Sequence, residues 1–383
     1  MLDPFKRNID YLRISVTDRC NLRCQYCSHL DSPSDVGENL PTEAWLEFFE
    51  ELNACAVMNV TLSGGEPFCR EDLKELIEGI VRNRMRYNIL SNGTLITNRM
   101  AAFLAFTGRC DGVQVSIDGP IPAIHDSFRG EGNFGKAMAG IRFLQAHNVN
   151  VDARVTIHRK NVYKLEEIAR LLLENLGLSG FSTNSASYMG RCRHNSEQIQ
   201  LTVKERSFAM ETLLKLNNKY NGRISASAGP LAECESWHDM EQARQGKGES
   251  ISGGGYLTGC GGPMSSLAVR ADGVMIPCGQ LSHLELGRIN TDKLKAVWQN
   301  HPALKRLRER CRISLSAFDF CKGCDYVNFC TGNCPALAYN ILGDENHPSP
   351  DACLRRFLEK GGKLPKSLAA NDDNAATTPE SDL

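Results

Sequence analysis

Between residues 11 and 186 the chain alternates two patterns, and that alternation limits the folds open to it. Short runs rich in β-branched residues read as strands at 11–16 (YLRISV), 57–64, 87–92, 112–118, 151–157 and 181–186. Stretches with helical period at 42–55, 70–83, 97–107, 133–147 and 161–176 separate them. Thr42 is a candidate N-cap for the first helix, but Trp45 three residues on excludes a capping box. Strands alternating with helices predict parallel βαβ units and an α/β class. Six of them suit a partial (β/α)6 relative of the TIM barrel, whose chemistry sits at the C-terminal ends of its strands.

Sixteen cysteines stand out against this background. The net charge of −1 gives no field that would draw nucleic acid or an anionic membrane. No apolar run approaches the roughly 20 residues that span a bilayer. The opening MLDPFKRNIDYLRISV has a proline and charges where a signal peptide needs an apolar stretch. A cytoplasmic protein is therefore expected, and in a reducing compartment clustered cysteines read as metal ligands rather than disulfides. Ten fall into spaced motifs. Cys55, Cys69, Cys110, Cys192, Cys234 and Cys311 do not, and for the first three core packing is the expectation.

Directly after the first strand comes RCNLRCQYC, with Cys20, Cys24 and Cys27 spaced C-x3-C-x2-C. An iron–sulfur cube has four irons, normally each with a cysteine thiolate. Three leave one iron open, as catalytic metal sites keep an open position. Here the sequence resembles radical S-adenosylmethionine (radical SAM) enzymes, and the resemblance extends beyond the clip. SGGEP (63–67) follows the second strand, SNGTL (91–95) the third, VSIDGP (115–120) ends the fourth, and YMGR (188–191) follows the sixth. The resemblance implies a [4Fe–4S] cluster held by the three cysteines and SAM. Gly64, Gly65 and Glu66 are implied for the methionine amino group, Asn92 for the ribose segment, and Ser116 near the ribose or carboxylate. Arg129 is implied for a charge-assisted pair with that carboxylate, Tyr26 beside the adenine, and Met189 as its apolar contact. A surface ion pair is the rival role for Arg129, and core packing the rival for Met189.

Downstream, Cys260 and Cys278 bracket a hairpin signal at Asp272-Gly273. CKGCDYVNFCTGNC then supplies Cys321, Cys324, Cys330 and Cys334, and Cys353 follows. This series resembles the SPASM domain of radical SAM enzymes that modify peptides and proteins. It implies two auxiliary [4Fe–4S] clusters, one on Cys321, Cys324, Cys330 and Cys353, the other on Cys260, Cys278 and Cys334. The second set is one thiolate short. Cys234 or Cys192 can complete it, or its iron stays open to substrate or water. A zinc ribbon is the bland alternative for the region.

The expected organisation is a radical SAM core over 8–225, a linking or bridging region over 226–259, a SPASM domain over 260–362 and a disordered tail over 363–383. The function implied is reductive cleavage of SAM to a 5′-deoxyadenosyl radical that abstracts hydrogen from a peptide or protein. Auxiliary clusters handle electrons, and flavodoxin or ferredoxin delivers them. Gly279 and Gln280 follow Cys278 where sulfatase-maturing enzymes carry an aspartate, which favours ribosomal peptide maturation by cross-link, thioether or epimer formation. Oxidation of a tetrapyrrole or quinone-cofactor precursor is the enzymatic alternative, and a non-catalytic iron–sulfur or zinc scaffold the alternative of another class. Neither nucleic acid nor membrane is expected as a partner.

Overall fold

The computed structural model describes residues 2–3, 6–28 and 39–365. The expected disordered tail lies outside the described residues from 366 onward. All six strands form: β1 (Tyr11–Thr17), β2 (Asn59–Gly64), β3 (Arg86–Ser91), β4 (Cys110–Ser116), β5 (Val151–Ile157) and β6 (Phe181–Ser185). They pair parallel in chain order, with helices as the crossovers. Each strand is two-faced. On β1, Leu12, Ile14 and Val16 are fully buried in one core with Trp45, Phe48 and Phe49 of the helix Thr42–Ala54. The alternate residues Arg13 and Ser15 face the other way. The same alternation gives Thr61 and Ser63 on β2, Gln114 and Ser116 on β4, Asp152 and Arg154 on β5, and Ser182 on β6. A parallel sheet packed on both faces reads as continuous apolar runs. Here one face is apolar beneath the helices, and the other lines a polar barrel interior.

The sheet does not stop at six strands. β7 (Ile224–Ala226) adds parallel to β6. β8 (Ser266–Val269) pairs parallel with β1 from Tyr11 to Ile14, and β9 (Val274–Ile276) and β10 (Gly287–Arg288) follow antiparallel. The order is β10-β9-β8-β1-β2-β3-β4-β5-β6-β7. The expected hairpin is the β8–β9 turn: Gly273 has φ +86°, and the Asp272 side chain accepts the Val274 N–H. The cysteine-rich segment thus continues the barrel's own sheet beyond its first strand.

Some local expectations shift. Pro41 occupies the first N-cap without a side-chain bond, and the capping box sits instead at Thr202 and Glu205, ahead of Val203–Lys219. The expected helix over 291–311 breaks into Leu294–Asn300 and Pro302–Glu309, because proline forces His301 into extended backbone. The stretch 226–259 contains a helix, Pro230–Arg244. Its Trp237 and Met240 form a second core with Met210, Leu214, Leu354 and Phe357. Among the described residues no helix is long and apolar enough to cross a membrane.

Trp298 fastens the segment before β1 to the cysteine-rich segment. It is fully buried, its Nε1 donates to the Arg7 carbonyl at 3.4 Å, and the Arg308 guanidinium lies 4.2 Å from its ring centroid. Trp298→Ala is expected to cost about 3–5 kcal/mol, as buried aromatics do. Urea unfolding checks this, and an unmoved midpoint would contradict it.

Candidate active site

The loops after β1 to β6 converge at the C-terminal end of the barrel. The clip leaves β1 after Thr17, whose hydroxyl accepts the Arg19 N–H at 3.1 Å. The turn after β2 then docks on it backbone to backbone. Gly65 N donates to Thr17 O at 2.7 Å and Glu66 N to Arg19 O at 2.9 Å. A Cβ on Gly64 would stand 2.1 Å from Thr17 O, and one on Gly65 2.4 Å from Arg19 O. Both glycines are required because two main chains touch. Gly190 repeats the device on the other side, where its Cβ would meet Cys27 O at 2.3 Å. The adjacent Arg191 N–H donates to that same carbonyl at 2.9 Å, so the YMGR segment is anchored on the clip.

Glu66 is buried. Its carboxylate accepts from the Ser91 hydroxyl at 2.8 Å, the Asn92 N–H at 2.7 Å and the Phe68 N–H at 3.3 Å. Burial outweighs these bonds and pushes its pKa up to about 7. The Asn92 side chain donates to Asn21 at 2.9 Å, joining the third strand's turn to the clip.

Asp118, the aspartate of VSIDGP, holds the other side together and was not assigned a role from the sequence. It is fully buried and accepts from the Tyr26 hydroxyl, from Arg129 Nε at 2.5 Å and from Thr156 N at 2.8 Å. Burial would raise its pKa, but Arg129, followed by His158 and His125, holds it below the usual carboxylate value. Burial drives both histidines down to about 4, and both ring nitrogens of His158 lack hydrogen-bond partners while its ring stacks 3.8 Å from Phe128. Arg129 is therefore an internal residue rather than a surface one. Ser116 ends β4 opposite Arg154 on β5. Met189 is buried against Leu281, Leu307 and Ala336, so it also joins the barrel to the cysteine-rich segment.

None of the sixteen cysteines forms a disulfide, and the ten in motifs sort into three groups that interact electrostatically. Cys20 is raised to about 12, by burial and then by Glu66, Cys24 and Cys27. Cys260 rises to about 11 through burial, with Cys334 and Cys278 adding to it. Cys321 rises to about 12 through burial, with Cys330, Cys324 and Cys353 adding to it, and those four thiols line one hollow together with Met240 and Tyr326. One sulfur in each group accepts a backbone N–H: Cys20 from Leu22 at 3.4 Å, Cys278 from Gln280 at 3.3 Å and Cys330 from Gly332 at 3.3 Å. Among the described residues no three His, Cys, Asp or Glu side chains converge tightly enough to hold a single metal ion. Cys234 lies instead in the second apolar core, and Cys192 is buried with Tyr26, Phe128, Ala186 and Ile199. Cys55 and Cys110 pack against the main core.

Comparison with known proteins agrees with this geometry. Residues 14–172 match the radical SAM superfamily model, and residues 260–325 match the iron–sulfur cluster-binding SPASM model. A "PqqA peptide cyclase" of Ruegeria pomeroyi is 25% identical over 367 residues, covering 95% of this chain and 92% of its own. An "AdoMet-dependent heme synthase" of Nitratidesulfovibrio vulgaris is 27% identical, covering 88% of this chain and 89% of its own. The crystal structure of Streptococcus suis SuiB bound to precursor peptide SuiA superposes with a TM-score of 0.70 at 14% identity, covering 91% of this chain and 76% of that one. That last likeness is one of fold.

Two outcomes follow from the buried carboxylates. The folded state favours protonated Glu66, so its contribution is complete below its unfolded pKa near 4.5 and is lost as pH rises through about 7. Urea midpoints of the metal-free protein are expected to fall across that window, and less so in Glu66→Gln. Asp118→Asn leaves Arg129 buried without its counter-charge and is expected to cost about 3–5 kcal/mol. A loss under about 1 kcal/mol, the scale of exposed pairs, would deny Asp118 its central place.

Proposed function

We propose, from the match of residues 14–172 to the radical SAM superfamily model and of residues 260–325 to the SPASM model, that the chain is a radical SAM maturase acting on a peptide or protein, with the residues above in the following roles. Cys20, Cys24 and Cys27 bind the catalytic [4Fe–4S] cluster and leave one iron for SAM. When bound, cluster and SAM supply one-electron cleavage of the sulfonium bond, which yields a 5′-deoxyadenosyl radical able to take a hydrogen atom from an unactivated C–H bond.

The chain's own residues position that chemistry. Gly64 and Gly65 hold the second strand's turn against the clip, and Glu66 offers its carboxylate to the methionine ammonium. Asn92 and Ser116 present polar atoms toward the ribose. Arg129 commits Nε to Asp118, which leaves its two terminal nitrogens for the methionine carboxylate. Tyr26, fixed through Asp118, and Met189 close the adenine side and exclude water.

Cys321, Cys324, Cys330 and Cys353 bind one auxiliary cluster with four thiolates. Cys260, Cys278 and Cys334 bind the other with three. Cys234 and Cys192 are engaged in apolar cores and show no coupling to that group, which supports an iron without a fourth cysteine. We place the protein in the cytoplasm with flavodoxin or ferredoxin as donor, and divide it into a core over 8–225, a bridging region over 226–259 and the SPASM domain over 260–362. The seven-cysteine segment fused to the barrel carries the peptide reading, and a relative named as a peptide cyclase supports it. The heme synthase relative supports the second reading, oxidation of a tetrapyrrole side chain.

Anaerobically reconstituted protein is expected to convert SAM to 5′-deoxyadenosine under reduction. Replacing Cys20, Cys24 and Cys27 by alanine should abolish this and remove about a third of the iron, as expected for one cube of three. Persistent cleavage, or complete loss of iron, would contradict the ligand assignment.

A further inference from the structure

Two arginines inside the barrel remain without a role in these assignments. Arg13 projects from the interior face of β1 and Arg154 from that of β5. Each hydrogen-bonds a serine hydroxyl: Arg13 Nε to Ser63 at 3.1 Å and Arg154 Nη1 to Ser182 at 3.1 Å. Neither has a carboxylate within ion-pair distance among the described residues. Asp152, two residues from Arg154, takes a hydrogen bond from Gln114 at 3.1 Å instead.

The two positive charges also act on each other. Burial lowers the pKa of Arg154, Asp152 partly restores it and Arg13 lowers it further. Arg13 is reached by water inside the barrel yet enclosed by protein, and burial lowers its pKa too. A guanidinium does not give up its proton at physiological pH, so two of them on the interior face with serine hydroxyls and no carboxylate for partners favour an anionic ligand. Their places are specific. Strand register sets Arg154 opposite Ser116, at the nucleotide side. Arg13 is level with Ala268 and, through it, Ile276, two residues from Cys278. On the same interior face of β6, Asn184 Oδ1 is buried with no donor.

We infer that Arg13 and Arg154 form a carboxylate-binding site inside the barrel, and that the substrate presents a carboxylate there, between the SAM side and the Cys260–Cys278–Cys334 group. The unpaired acceptor of Asn184 suits a ligand that also brings an N–H, as an acidic peptide residue does. This rests on the proposed function in taking the barrel interior as the reaction chamber.

The test uses reconstituted, oxidised holoprotein with two probes that differ in one charge, N-acetylglutamic acid α-amide and N-acetylglutamine amide. Saturation-transfer NMR is expected to detect the carboxylate probe well above the amide. Arg13→Gln and Arg154→Gln should each weaken it about tenfold, the scale of one charge-assisted contact, and Arg154→Lys should retain part of the binding. Equal transfer from both probes, or unchanged binding in both glutamine variants, overturns the site. So does an effect confined to Arg13→Gln with a changed auxiliary-cluster EPR signal in a separate, chemically reduced sample, which assigns Arg13 to the cluster. SAM cleavage by the wild-type protein is scored separately, so its failure removes the radical reading and leaves the carboxylate result standing.

Discussion

The candidate site depends on one buried negative charge. Asp118 sits where no water offsets its desolvation, so every hydrogen bond it makes must come from protein. Its partners lie on four separate segments: Tyr26 on the clip, Arg129 on the helix after β4, Thr156 on β5, and Asn161, which donates to the Asp118 carbonyl at 2.9 Å. A single carboxylate thereby fixes the clip relative to two strands and sets Arg129 in one orientation. Removing either partner strands a charge in low dielectric, which is why such pairs specify geometry more reliably than they stabilise it.

The second and sixth strand loops meet the clip through main-chain contacts. Gly65 and Gly190 let the second and sixth strand loops lie directly on the clip's backbone from two sides. The clip's cysteines therefore project from a frame gripped by main-chain hydrogen bonds. Met189, packed on Leu281, Leu307 and Ala336, carries the frame on to the cysteine-rich segment. The hydrogen bond from Gln280 to the Ser28 hydroxyl at 3.3 Å links the same two regions. The Cys260 group and the clip are thus mechanically continuous through the sheet, since β8 pairs with β1 itself.

Much of the fold was legible in the sequence. Every strand of the barrel could be read from β-branched runs, because period-2 burial under helices demands them, and Asp272-Gly273 announced its hairpin. β7 could not be read: three residues carry too little pattern, and its pairing with β6 is a long-range matter. The helix Pro230–Arg244 was hidden because Glu, His, Ser and Gln interrupt its apolar face, and its core contacts come from distant residues such as Leu354 and Phe357. Asp118 lay in plain view within a recognised motif. Its importance is a property of burial, and burial is not written in the residue type.

The sequence by itself determined the chemistry available, since cysteine spacing, strand-end glycines and a glutamate are local facts about which atoms the chain can offer. The resemblance to the radical SAM superfamily, whose model matches residues 14–172, followed from those facts in order along the chain. Only the tertiary structure decided which offers are taken up. It buried Cys234 and Cys192 in apolar cores, drew Arg129 inward to an aspartate, and set Arg13 and Arg154 on the interior face of the barrel with serine hydroxyls for partners. The reason is physical: a residue's charge state and partners depend on desolvation and on neighbours brought from far along the chain, and neither quantity exists until the chain has folded.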